Sequence, residues 1–279
     1  MWKEESRLLF KDWSAKVVLG LFIGLIGWWI GLQYTFTADE GEHAKMIWGA
    51  CYQIISLFGG VLGLKIAFDW GGEKSVVGRM LIAFSAGLLL QTFGQSIFSY
   101  YNLFTNTELP YPSLADIGFF GSIVFYIYGA VLLAHASGAH VSAQVLKHQT
   151  VFFLIPIVML ALPYLLFLNG YDFHEANPIQ VILDFGYPIG QSIYVSVTVL
   201  TYLLTRKSLG GVMKHRVLFI LLALVVQYLA DFNFLYQAVN ENWAVSGYGD
   251  VIYLIAYFLL ALGLIQMKTT FVLSSDNRT

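Results

Sequence analysis

Eight long apolar runs, separated by short polar links, constrain this chain more than any other feature in it. They cover 16–37, 45–68, 76–102, 115–135, 149–168, 178–204, 214–239 and 246–270. A bilayer core about 30 Å thick is crossed by roughly 20 apolar residues in helical form. Inside hydrocarbon every backbone N–H and C=O must find its partner within the protein, which leaves helices and closed barrels as the spanning structures. The runs are continuous and do not alternate, so barrel strands are excluded. The expected fold is all-α and integral to the membrane, with eight transmembrane helices. Composition agrees: 58% of the residues are hydrophobic and 11% charged, whereas soluble domains carry about 25% charged residues. The lipid bilayer is therefore the first partner. A formal net charge of −2 offers no basic field for nucleic acid. The single cysteine, Cys51, excludes a disulfide framework and a multi-Cys metal site. The first run is long enough to span and is followed by no small-residue cleavage site, so it is expected as a helix rather than a secretory signal.

Positive charge orients the helices. Lys3, Arg7, Lys11 and Lys16 precede the first run. Lys65, Lys74 and Arg79 flank the second link, and Lys147 lies in the fourth. Arg206, Lys207, Lys214 and Arg216 flank the sixth, and Lys268 and Arg278 follow the last run. The alternate links are acidic or neutral, around Asp39, Glu40 and Glu42, from Thr105 to Ser113, around Asp172 and Glu175, and around Glu241. Of fifteen Lys and Arg, Lys45 alone falls on the second side. Both termini are expected in the cytoplasm of a cell-membrane protein.

The second half of the chain echoes the first. Leu88-Leu89-Leu90-Gln91 corresponds to Leu224-Val225-Val226-Gln227, and Gln95 to Asp231. Phe98 and Tyr100 correspond to Phe234 and Tyr236, Asp116 to Asp250, and Gly129 to Gly263. The offset changes by two residues between the matches before the intervening loop and those after it, and loops absorb length changes readily. The reading is a tandem duplication, with one four-helix repeat over 1–144 and another over 145–279. Four is even, so the halves share an orientation and form parallel repeats about an axis near the membrane normal, as in some transporters.

Ionisable groups inside a bilayer are costly, by about 2.5–3.5 kcal/mol on insertion scales. Four acids lie in or near the outer halves of the spans: Asp116, Asp184, Asp231 and Asp250. Ser113 and Asp116 have the spacing of a capping box, and an acid in the first turn suits the helix dipole. Asp250, after Ser246-Gly247-Tyr248-Gly249, has a similar structural reading. Asp184 and Asp231 stand deeper, roughly 9 and 12 Å along their helices at 1.5 Å per residue. For those two, a buried structural role and a ligand, proton or ion role are both open. Gln91 and Gln95 share a helical face, as do Gln227 and Asp231, and Asp184, Tyr187 and Gln191 form one stripe. If these stripes face inward, they form a polar pocket suited to a hard cation, a proton or a polar small molecule. No His or Cys cluster points to zinc or haem; His135, His140, His148 and His215 lie at cytoplasmic links, and His43 and His174 in outer ones. No cofactor is indicated.

Gly20, Gly24, Gly27 and Gly31 make a stripe on the first helix, and Gly59 and Gly63 repeat the spacing on the second. Small residues allow close backbone approach; packing within the chain is one reading and a homodimer the other. Pro188 interrupts the sixth helix beside Tyr187, and Pro156 and Pro163 make the fifth irregular. No lysine occupies the middle of the last helices for a retinal Schiff base, and there is no Walker A run, nucleophile elbow or HExxH.

The stretch Leu109-Pro110-Tyr111-Pro112-Ser113-Leu114-Ala115-Asp116-Ile117-Gly118-Phe119-Phe120 resembles a motif of multi-helix membrane sensor regions that precede GGDEF diguanylate cyclase or histidine kinase domains in prokaryotes. Asp184-Phe185-Gly186-Tyr187-Pro188-Ile189-Gly190-Gln191 and Ala230-Asp231-Phe232-Asn233-Phe234-Leu235-Tyr236 resemble later motifs of those regions. The resemblance implies a sensor role and no particular ligand. The chain departs from the pattern in stopping shortly after its last run, so on this reading output passes to a separate cytoplasmic signalling partner. The leading expectation is a membrane sensor or ligand-binding module without its own output domain. A small-solute or ion transporter, proton-coupled, using the same pocket is the alternative, and a lipid-acting enzyme ranks third.

Overall fold

The computed structural model describes residues 11–35, 41–105, 109–139, 150–173, 177–205 and 213–268. Lys3, Arg7, Asp39, Glu40, His140, Lys147, His148, His174, Glu175, Arg206, Lys207 and Arg278, which entered the charge and histidine readings, lie outside these residues. The described residues are helical and contain no strand. The helices are α1 (Trp13–Thr35), α2 (Glu42–Cys51), α3 (Ile54–Asp69), α4 (Val76–Tyr100), α5 (Leu114–Ala136), α6 (Thr150–Pro163), α7 (Pro178–Thr205), α8 (Met213–Val239) and α9 (Tyr248–Gln266). Only a short turn separates α2 from α3, and one continuous apolar rod runs from Glu42 to Asp69.

Among the described residues, six segments are long and apolar enough to cross a membrane: Trp13–Thr35, Glu42–Asp69, Val76–Thr105, Leu114–Ala136, Lys214–Val239 and Tyr248–Gln266. The chain is thus an all-helical membrane protein. Two further rods fall outside this group. Phe153–Leu168 is apolar but shorter. α7 has 28 residues, yet Gln180, Asp184, Gln191 and a row of Ser and Thr dilute its apolar character.

Helix ends follow local chemistry. The Ser75 hydroxyl accepts from the Gly78 N–H at 2.8 Å and caps α4. Ser113 caps α5, and Asp116 returns the bond as the second half of a capping box. Pro163 ends the α-helical part of α6, and a π-helical turn, Tyr164–Leu168, follows.

Six rods pack in a closed ring: α3 on α4, α4 on α5, α5 on α7, α7 on α8, α8 on α9, and α9 back on α3. α1 lies outside against α9, and α6 outside against α7. The α4–α5 seam is the tightest. A Cβ at Gly118 would stand 2.5 Å from the Gly94 nitrogen and the Leu90 carbonyl oxygen, a separation that only two bare backbones allow. Gly59 and Gly63 also pack within the chain, against Ala261 and Ser85. The α1 stripe behaves differently, because Gly20, Gly24, Gly27 and Gly31 have no described atom within 4 Å of where a Cβ would sit.

Indoles fasten the periphery. Trp48 Nε1 donates to the Leu25 carbonyl at 2.8 Å, tying α2 to α1, and Trp29 Nε1 donates to the Ser246 carbonyl at 2.8 Å. Trp70 Nε1 donates to the Met267 carbonyl at 2.6 Å, joining the ends of α3 and α9. Lys268 Nζ pairs with Asp12 at 2.7 Å beside that junction.

Candidate functional site

Among the described residues the ring encloses a large chamber whose wall mixes polar and aromatic side chains. It is lined by the C-terminal halves of α4 and α8, the N-terminal halves of α5, α7 and α9, and Tyr52 between α2 and α3. Those ends all lie on the side of the acidic and neutral links. The chamber has a volume of about 720 Å3, within the range of small-molecule sites. It reaches the helix ends at Asn102, Leu109 and Trp243.

Eight of the nine polar residues singled out in the sequence line it: Gln91, Gln95, Asp116, Asp184, Tyr187, Gln191, Asp231 and Asp250. Gln227 stands behind this wall. Its Nε2 donates to Asp231 Oδ1 at 3.0 Å, while its Oε1 is buried without a partner among the described residues.

The four acids are held differently. Asp116 is buried; Oδ2 accepts from the Ser113 N–H at 2.7 Å and Oδ1 from the Tyr187 hydroxyl at 2.7 Å. The cap reading and the pocket reading of this residue therefore coexist, one on each oxygen. Asp250 is buried and accepts from the Ser246 N–H at 2.7 Å through Oδ2. Asp231, 5% exposed, accepts from the Tyr194 hydroxyl at 2.8 Å through Oδ2, besides Gln227. Asp184 is only half-buried at the chamber mouth and accepts two loop phenols, Tyr111 at 2.6 Å and Tyr171 at 2.6 Å. Gln191, Gln227 and Tyr187, expected as donors near the deep acids, thus serve Asp231 through Gln227 alone. Asp184 lies close enough to the end of α7 for the adjoining loops to reach it.

The two loop phenols are strong hydrogen-bond donors that stay protonated. The hydrogen bond to Asp184 pushes the Tyr171 hydroxyl up to about 12. Burial, and then the bond to Asp184, raises Tyr111 as well. A phenolate beside the carboxylate would put two negative charges in contact.

The carboxamides bridge helices. Gln91 Nε2 donates to Ser122 Oγ at 2.8 Å, and its Oε1 accepts from Tyr257 at 3.0 Å, linking α4 to α5 and α9. Gln95 Nε2 donates to the Gly49 carbonyl at 3.2 Å. Gln191 differs: it is 4% exposed, and its amide bonds to no described residue. Pro188 has no N–H for the Asp184 carbonyl one turn back, so the helical ladder is broken beside the chamber.

Aromatic rings complete the wall. Trp243 meets Phe98 edge-on at 5.3 Å and Phe234 at 6.2 Å, and Tyr52 stacks on Tyr257 at 6.0 Å. Several of these residues were not singled out in the sequence. Tyr194 continues the Asp184, Tyr187, Gln191 stripe by one more turn, and Tyr253 and Tyr257 continue one from Asp250, so helical spacing carried a signal for them. Tyr111, Tyr171 and Trp243 come from loops, where no periodicity marks a direction.

Among the described residues no group of three or more His, Cys, Asp or Glu is arranged to hold a metal ion. Cys51 is a free thiol and not part of the chamber wall. Compared with known protein families, curated proteins and solved structures, the chain matches none.

Proposed function

We propose that the protein is a multi-pass membrane sensor or ligand-binding module whose ligand occupies the acidic chamber. One observation carries this reading: polar residues from five helices converge on one space. Polar groups in a membrane bundle are costly, and a bundle built only for stability has no need to gather so many around one cavity. The test is a thermal-stability screen of the protein in lipid nanodiscs against small molecules of positive, negative and zero charge. At least one should raise the melting temperature of the wild type, and the gain should vanish in the chamber-filling variant Gln191→Trp. A ligand at a hundred times its dissociation constant stabilises by about 2.7 kcal/mol, well within what such a screen detects. If no molecule of any charge stabilises the protein and no solute crosses liposomes that contain it, the reading fails.

A transporter using the same chamber is the second reading. It is favoured by the broken ladder at Pro188, since transporters present unpaired helix carbonyls to solutes at such breaks. Solute flux through reconstituted liposomes separates it from sensing.

The finer topology belongs to the same proposal. Eight spans result if Phe153–Leu168 and α7 also cross, with the Lys- and Arg-rich links inside and the chamber in the outer half of the bundle. The order of the six ring helices supports a four-plus-four parallel repeat: a half-turn that carries α3, α4 and α5 onto α7, α8 and α9 preserves every neighbour within the ring. Asp116 and Asp250 support it too, each accepting a serine N–H at 2.7 Å at the start of its helix. On this reading a separate cytoplasmic protein receives the signal, and a second copy of the chain is the other candidate partner.

A further inference from the structure

We infer that the chamber takes an organic cation, an amine or quaternary ammonium with an apolar body. The inference rests on the ligand-binding reading above and names the class of ligand. Asp116, Asp184, Asp231 and Asp250 all line the chamber, and no Lys, Arg or His does so among the described residues. Their hydrogen-bond donors are neutral phenols, a serine hydroxyl, an amide and backbone N–H groups. The wall therefore holds four carboxyl groups and no cationic side chain of its own among the described residues. In a space shielded from bulk water, Coulomb attraction to a cation is strengthened and anions are repelled.

Acidity alone names no ligand, and a second observation does. Gln191 is 4% exposed, lines the same space, and bonds to no described residue. Buried carboxamides are normally partnered. The donor and acceptor of Gln191 are left to whatever fills the chamber.

The chemistry of the wall then selects among cations. A calcium ion needs six to eight oxygens at about 2.3–2.6 Å, and no group of acids among the described residues converges that closely. On Asp184 both oxygens already accept a phenol, and both are likewise engaged on Asp116 and Asp231. These carboxylates present oriented charge rather than open coordination positions. A volume of about 720 Å3 suits a molecule and far exceeds a dehydrated ion. The rings supply the remaining element. Trp243, set between Phe98 and Phe234, and Tyr52, stacked on Tyr257, line the chamber with aromatic carbon. Aromatic faces attract ammonium groups within about 6 Å and hold alkyl chains without wetting them.

The test is isothermal titration of the full-length protein in nanodiscs with choline, tetraethylammonium, putrescine and calcium chloride. A fifth probe is the uncharged alcohol in which carbon replaces the nitrogen of choline. At least one of the three organic cations should bind, and the uncharged alcohol should bind at least about tenfold more weakly than the tightest of them. Asp231→Asn should weaken that cation about tenfold, and Trp243→Leu, which keeps apolar bulk without a π face, about fivefold. Binding of calcium alone overturns the inference, as does organic-cation binding that neither variant changes. Equal binding of the uncharged alcohol also overturns it, while leaving the ligand-binding reading intact. If none of the five probes binds, the cation class is wrong, and the screen across all charges decides the broader reading separately.

Discussion

Asp231 combines a structural position with a place in the wall of the proposed ligand chamber. Its two oxygens accept from Tyr194 and Gln227, so removing the carboxylate strands two buried donors. Asp231→Leu is predicted to destabilise the protein by about 1–3 kcal/mol, the usual range for an orphaned buried polar group. Asp231→Asn retains shape and one acceptor oxygen and should unfold within about 1 kcal/mol of wild type while losing ligand response. Thermal unfolding of both variants in one detergent checks the difference; equal loss in the two would remove the hydrogen-bond argument. At the other end of the molecule, Asp12 is partly desolvated, which alone would raise its pKa, but Lys268 overrides this and holds the carboxyl below its ordinary value. A carboxyl depressed on folding adds stability above its unfolded pKa of about 4, and the contribution is lost as pH falls through the folded value. The melting temperature should therefore drop on acidification from neutral pH to below 4, and the drop should be smaller in Lys268→Met. Identical acid limbs for the two proteins would show that the pair contributes nothing.

At the scale of helices, two glycine stripes with one spacing have opposite surroundings. Gly59 and Gly63 of α3 pack against Ala261 and Ser85, whereas the α1 glycines meet no described atom within 4 Å; outside either stripe, Gly118 and Gly94 let α4 and α5 touch backbone to backbone. Gly118→Ala is predicted to cost about 1–3 kcal/mol, because the added methyl must push two rigid helices apart. Gly24→Ala, with no described atom within 4 Å, should be neutral or slightly stabilising. Melting temperatures measured side by side test the pair, and a costly Gly24→Ala would mean that something outside the described chain packs there. The spacing rule legible in the sequence identifies both stripes as places for close approach. It does not say which stripe has a neighbour, since that depends on where each helix stands in the ring.

For the whole molecule, the charge pattern leads to a labelling prediction. In a background with Cys51→Ala, cysteines at Thr107, Asp172 and Asn242 should react with a membrane-impermeant thiol reagent added outside intact cells. A cysteine at Leu209 should not; strong labelling there would reverse the orientation. The proposed repeat predicts that α3, α4 and α5 superpose on α7, α8 and α9 by a rotation about one axis near the bilayer normal, which cryo-electron microscopy of the protein in nanodiscs would measure. Placement of Gln91 and Gln227 in unrelated positions relative to that axis would end the duplication argument.

The helical, membrane-embedded character of this protein was determined by sequence alone. Eight apolar runs cannot leave backbone groups unpaired in lipid, and helix is the local way to pair them. The polar stripes were legible for a related reason, because Gln91, Gln95, Asp184, Gln191 and Asp231 stand out against apolar neighbours and share faces at helical spacing. Only tertiary structure decided that these stripes meet, that loop phenols hold Asp184, and that Gln191 is left open. In water an amphipathic pattern reveals which face of a helix turns inward. In a bilayer the lipid-facing and protein-facing sides are both apolar, so most of a helix carries no mark of its rotation or of its neighbours. Tyr257 of α9 reaches Gln91 of α4 across 166 residues of chain, and that contact exists only because the ring closes.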